Sequence, residues 1–182
     1  MKSKYWIFGV LIFAALQLNA QISKVNLQAS GLTCSMCSNA INKSLKSIPF
    51  VENVTANIKN SSFEITFKPD ASVELDLIKK KVEDAGFFVA KLEVLLFVHS
   101  LAVSNDAHVD INGTMFHFLH TDNKVLDGET TFVLLDKGYV SAKDYKRNAV
   151  YTKMNCYKTG LMGNCCNNKT KSAGTRIYHV TI

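Results

Sequence analysis

The chain has 182 residues, 47% hydrophobic and 20% charged, with nine glycines, two prolines and five cysteines. That balance excludes a disordered chain, a collagen-like repeat and a cysteine-dense mini-protein, and the length admits one large core or two small ones. The 21 lysines and arginines against 15 acidic residues give a net charge of +6. The excess is spread as single lysines and one Lys79-Lys80-Lys81 run with no interleaved aromatics, which argues against nucleic-acid binding and fits solubility or attraction to an acidic partner.

Residues 1–20 read as a secretory signal peptide: Lys2 and Lys4, a 12-residue apolar run from Tyr5 to Leu16, and a polar close at Gln17-Leu18-Asn19-Ala20. The run is shorter than the roughly 20 residues that span a bilayer, so stable membrane insertion is not expected. Leu18, at the −3 position, is larger than the residue usually preferred there, and no cysteine lies nearby to accept a lipid. Removal of the segment would leave a net charge of +4 and a periplasmic or secreted protein, in a compartment where disulfides form.

Residues 21–91 read as a first domain. Val25, Leu27 and Ala29 alternate as in a strand, and Cys37, Ile41, Leu45 and Ile48 line one helix face. Val54, Ala56 and Ile58 predict a second strand, Asn60-Ser61 a turn, and Phe63, Ile65 and Phe67 a third strand. Leu75, Ile78, Val82 and Ala85 mark a second helix, Gly86 suits its C-terminal cap, and Val89 opens a fourth strand. The order βαββαβ predicts a ferredoxin-like sandwich.

Between the first strand and first helix lies Gly31-Leu32-Thr33-Cys34-Ser35-Met36-Cys37. Two thiolates separated by two intervening residues, one in a loop and one in the first helical turn, can converge on one ion. The helix N-terminus favours the thiolate form, and soft sulfur donors select soft ions. Two ligands fall short of a structural zinc shell. Over roughly residues 22–91 the sequence resembles the heavy-metal-associated domain of copper chaperones, copper-pump N-termini and exported mercury-binding proteins, whose motif is Gly-Met-Thr-Cys-x-x-Cys. The resemblance implies that Cys34 and Cys37 hold the metal. Leu32 stands in place of the family's Met, and Phe87 where bacterial chaperones often carry Tyr. A disulfide between Cys34 and Cys37 is the competing reading in an oxidising compartment. Met36 is a candidate third soft ligand, though an outward or packing role suits it better.

Residues 92–182 carry no recognised family motif and are expected to form a small β-rich domain. Leu92 to Ser104 continues the preceding strand with little or no linker. Asn112-Gly113 predicts a two-residue hairpin turn, Glu129 to Leu135 a further strand, and Ser141 a cap on a short helix through about Arg147. Val150 to Cys156 and Arg176 to Ile182 complete five strands, which fits an OB-type barrel. Cys156, Cys165 and Cys166, with Met154 and Met162, suggest either a second soft-metal site or a disulfide from Cys156 to Cys165 or Cys166, the disulfide being preferred and one cysteine left over. His117 and His179 sit in alternating segments and could pair across a sheet, although a surface or core role is the commoner fate of such histidines. No catalytic motif appears.

These readings converge on an exported, non-enzymatic soft-metal-binding protein. It would carry Cu(I), with Hg(II) or Zn(II) as other candidate ions, and pass it by ligand exchange to a copper-transport or copper-accepting protein. A metal-bridged dimer fits an exposed bis-thiolate loop. The alternatives are a Hg(II)-binding protein of the same fold, or a thiol-disulfide or structural module.

Overall fold

A computed structural model describes residues 22–32, 34–164, 166 and 172–182; the expected signal segment lies outside them. Strand β1 (Ile22–Ser30) leads into helix α1 (Ser35–Lys46), then β2 (Val51–Asn57), β3 (Ser62–Phe67), helix α2 (Leu75–Asp84) and β4 (Phe88–Val103). Most of these elements follow the periodicity that predicted them; the second strand departs from it, ending at Asn57 with Val51 and Val54 as its buried positions, while Ile58 enters a 3-10 turn and is exposed. Val25, Leu27 and Ala29 turn inward from β1; Ile41 and Leu45 from α1 and Leu75, Ile78 and Val82 from α2 are fully buried against them. The strand order β2-β3-β1-β4, with all neighbours antiparallel, is the ferredoxin-like arrangement expected.

The second half continues the same sheet. β5 (His108–Ile111), β6 (Thr114–Phe118), β7 (Lys124–Leu134) and β8 (Ile177–Thr181) extend it to eight strands in the order β2-β3-β1-β4-β7-β8-β6-β5. The join is β4, 16 residues long, which pairs with β1 on one edge and β7 on the other. Its middle, Val94-Leu95-Leu96, is buried throughout, as expected where neighbours cover both edges and both faces. The hairpin forms as read: Ile111 opposes Thr114 across Asn112-Gly113, whose φ angles of 47° and 86° suit a type I′ turn. Helix α3 (Ala142–Asn148) starts at Ser141, whose hydroxyl accepts the Asp144 backbone N–H.

Two further expectations fail, both in the second half. The sheet is open, so there is no OB-type barrel: β8 lies between β7 and β6, parallel to β6, and β5 forms an edge. Residues 150–156 are not a strand. A 3-10 turn over Ala149–Tyr151 is followed by the short helix α4 (Cys156–Thr159), because Tyr157 packs with Leu119 and Leu135 while Cys156 joins Met115, Met162 and Ile177 on another side. No helix among the described residues is long and apolar enough to cross a membrane.

A polar cluster ties α2 to the second half. Asp76 accepts hydrogen bonds from Arg176 Nε at 2.8 Å, Tyr139 Oη at 2.7 Å and Tyr178 Oη at 3.1 Å. Arg176 also reaches Asp136 at 3.2 Å and lies 4.1 Å from the Tyr178 ring centre. Burial pushes the Asp76 carboxyl up, but the hydrogen bonds from Arg176, Tyr139 and Tyr178 and the guanidinium charge outweigh it and hold the group below its ordinary value. The folded protein therefore binds fewer protons here than the unfolded chain. The stabilisation is present above roughly pH 4 and is lost as pH falls through the lower folded value. Asp76→Asn is expected to cost about 1–2 kcal/mol in urea unfolding at neutral pH, a figure kept low because the side chain is partly exposed. The same variant should show a shallower loss of stability below roughly pH 4 than the parent.

Candidate metal centre

The C-x-x-C loop is built by two backbone devices. Gly31, with φ of 81°, turns the chain out of β1 in a conformation that L side chains avoid. Cys34 then takes an extended conformation, φ −150° and ψ 159°, as the N-cap of α1, and its sulfur accepts the Cys37 backbone N–H at 3.3 Å. A cysteine thus occupies the place usually held by Ser, Thr, Asp or Asn. Cys37 sits in the first turn, so the two Sγ atoms face each other at 2.7 Å. Cys34 is exposed and Cys37 half-buried.

The Cys37 thiol and the Cys37 N–H both donate to Cys34 and lower its pKa. Slight desolvation opposes them, and the Met36 N–H adds to them. The positive end of α1 acts in the same direction. Met36 is 81% exposed and points away from the core, which agrees with the outward reading. Leu32 packs against the main core, and Phe87 is partly buried there, so Leu32 takes a packing role where the family has Met. Leu32, Cys34, Ser35, Ser38 and Ile58 line a cavity of about 230 Å³ beside the sulfurs. Ile58, 60% exposed, gives its rim an apolar edge.

Of the other predicted cysteines, Cys156 and Cys166 come together. Cys156 is buried at the start of α4, and Cys166 packs against the same cluster as Met115, Cys156, Met162 and Ile177. Cys165, and with it part of the expected disulfide choice, lies outside the described residues. The histidine pairing is present: His117 on β6 and His179 on β8 are register partners, both fully buried, with ring centres 4.9 Å apart. His108 stacks on His117 at 4.2 Å. Burial and the neighbouring His179 and His108 charges push His117 down to about 4 against the pull of Asp106, so its ring is neutral at physiological pH. Alternation in the sequence pairs positions 117 and 179, but no local signal shows that Cys156 joins them.

Residues 26–88 match the family model of the heavy-metal-associated domain, and this part of the chain is such a domain. "Probable copper-transporting ATPase HMA5" of Arabidopsis thaliana is 32% identical over 80 residues, which are 44% of this chain and 8% of that protein. The "Copper-exporting P-type ATPase" of Staphylococcus haemolyticus (strain JCSC1435) is 32% identical over 66 residues, 36% of this chain and 8% of that one. The chain thus spans about 8% of the length of the curated relatives it matches. Among solved structures, the "CopZ metallochaperone" is 26% identical, the match covering 37% of this chain and 100% of that one, with a TM-score of 0.35. By the family model and the related sequences, residues 26–88 are a metal-binding domain with a Cys34–Cys37 pair, related to domains of copper transport.

The lowered Cys34 pKa has a direct readout. In alkylation with iodoacetamide followed by peptide mass spectrometry, the pH midpoint for Cys34 is expected below the roughly 8.5 of an ordinary thiol. Cys37→Ser should move it upward, since the Cys37 thiol is the largest source of the lowering.

Proposed function

We propose that the protein is an exported, non-enzymatic Cu(I) carrier, periplasmic or secreted, that holds the ion between Cys34 and Cys37 and hands it to a copper-transport or copper-accepting partner. The observation that carries this reading is the convergence of the two sulfurs at the N-terminus of α1, one exposed and one half-buried, inside a heavy-metal-associated domain. Soft thiolates favour Cu(I) over harder ions, and two of them satisfy a low-coordinate ion without closing its shell. A third ligand from a partner can then enter before one of the first two leaves. The exposed side of Cys34 offers the approach, and the same exposure would let two copies share one ion. The names of the relatives, both copper ATPases, support copper over mercury. The signal-like segment at residues 1–20 is the basis for export.

Anaerobic competition for Cu(I) against a colorimetric chelator, on the reduced protein, should show a tight equivalent that disappears in Cys34→Ser/Cys37→Ser. The double variant should keep its fold, since neither side chain belongs to the buried core. Equal binding in both proteins would remove the first-domain site. A Hg(II) titration that outcompetes Cu(I) at the same pair would reassign the cargo within the same fold.

A further inference from the structure

A second set of metal donors lies within the sheet of the C-terminal half. His117 from β6, His179 from β8 and Cys156 from α4 are remote in sequence and all buried, at 0%, 0% and 1% exposure. One ring nitrogen of each histidine and the Cys156 sulfur lie within 4.8 Å of one another. His117 Nδ1 is 3.5 Å from Cys156 Sγ. Donors bound at about 2.0–2.3 Å to one ion in a tetrahedral or trigonal shell sit about 3.3–3.8 Å apart. That edge of the triad therefore already has the separation of two ligands on one ion.

The rings are also oriented as ligands are. With His117 Nε2 donating to Asp106 Oδ1 at 3.0 Å, Nδ1 is the acceptor nitrogen, and its lone pair is directed at the Cys156 sulfur. His179 Nδ1 donates to Asp136 Oδ1 at 3.0 Å, and Asp136 is itself held by the His179 backbone N–H at 2.7 Å and by Arg176 at 3.2 Å. His179 Nε2 is then buried with no hydrogen-bond partner among the described residues. A buried imidazole nitrogen without a partner is costly in a role of packing alone. A carboxylate behind each imidazole is the usual support of a metal-bound histidine, fixing its tautomer and raising its basicity.

We propose that His117, His179 and Cys156 form a second metal site, separate from the Cys34–Cys37 pair, and that it takes a copper ion. Two imidazoles and one thiolate suit copper and zinc alike. The choice between them follows from the surroundings: Met115 and Met162 are buried in the same cluster as Cys156, and a His₂Cys set with thioethers at hand is a copper environment. Cys156 belongs to a further group with His108 and Cys166, also within 4.8 Å, so additional donors lie on the same side. A cavity of about 390 Å³ lined by Cys156 and Met162, with exposed Asn155 and Thr159 at its rim, gives the ion a route in.

The test uses the reduced full chain carrying Cys34→Ser/Cys37→Ser, so that the first site contributes nothing and the two readings succeed or fail separately. Anaerobic Cu(I) titration against a colorimetric chelator is expected to retain one tight equivalent. His179→Ala in that background should abolish it. Asp106→Asn, a change to a partly exposed carboxylate that leaves all three ligands in place, should weaken it 10–100-fold with an unchanged far-UV circular dichroism spectrum. Should His179→Ala unfold, the Asp106→Asn comparison still decides the matter. Absence of any tight equivalent overturns the site, as does an equivalent indifferent to the Asp106 change. Displacement of Cu(I) by equimolar Zn(II) overturns the assignment to copper.

Discussion

Everything in this molecule hangs on one strand. β4 must satisfy hydrogen-bonding edges on both sides, β1 in the metal-binding half and β7 in the other, and its central residues must be apolar on both faces. A strand that long and that apolar would be an aggregation hazard if either edge were bare. The two halves therefore protect each other's edges as well as sharing a core, which runs from Val25 and Leu27 through Leu96 to Phe132 and Tyr178.

The polar cluster at Asp76 reinforces that join from outside the sheet. Asp76 is on α2 of the metal-binding half, Arg176 lies immediately before β8, and Asp136 follows β7. Through Asp136 the same set of charge-assisted bonds reaches His179. Helix α2 and the buried histidines are thus connected by four side chains in contact. A change in charge at any one of them alters the electrostatic setting of the next, and low local dielectric strengthens the effect.

The first half was legible because its chemistry and its periodicity are local. Alternation at Val25, Leu27 and Ala29, a 3.6-residue stripe at Ile41 and Leu45, and two cysteines three positions apart each announce themselves within one element. The second half resisted for opposite reasons. Nothing near Val150 to Cys156 distinguishes a strand from a turn and short helix, because the deciding partners, Leu119, Leu135, Met115 and Ile177, come from β8 and from segments up to about 40 residues earlier. Open sheet and closed barrel differ only in where β8 inserts, which no local pattern encodes. The buried triad is harder still to see, since its members stand at positions 117, 156 and 179 and each alone reads as an ordinary core residue.

The position of β8 also orders events in time. It is the strand latest in sequence, yet it sits in the interior, hydrogen-bonded to β7 on one side and to β6 on the other. Until it inserts, the β5–β6 hairpin has no ladder joining it to the rest of the sheet. Parallel pairing across so long a separation carries a large loop-closure cost and is slow to form. During synthesis the metal-binding half can reach its final pairing well before residues 177–181 emerge, whereas the hairpin must wait for them. The His117–His179 pairing consequently exists only in a chain that has completed its sheet, so the chemistry of that interior marks the fully assembled state and no earlier one.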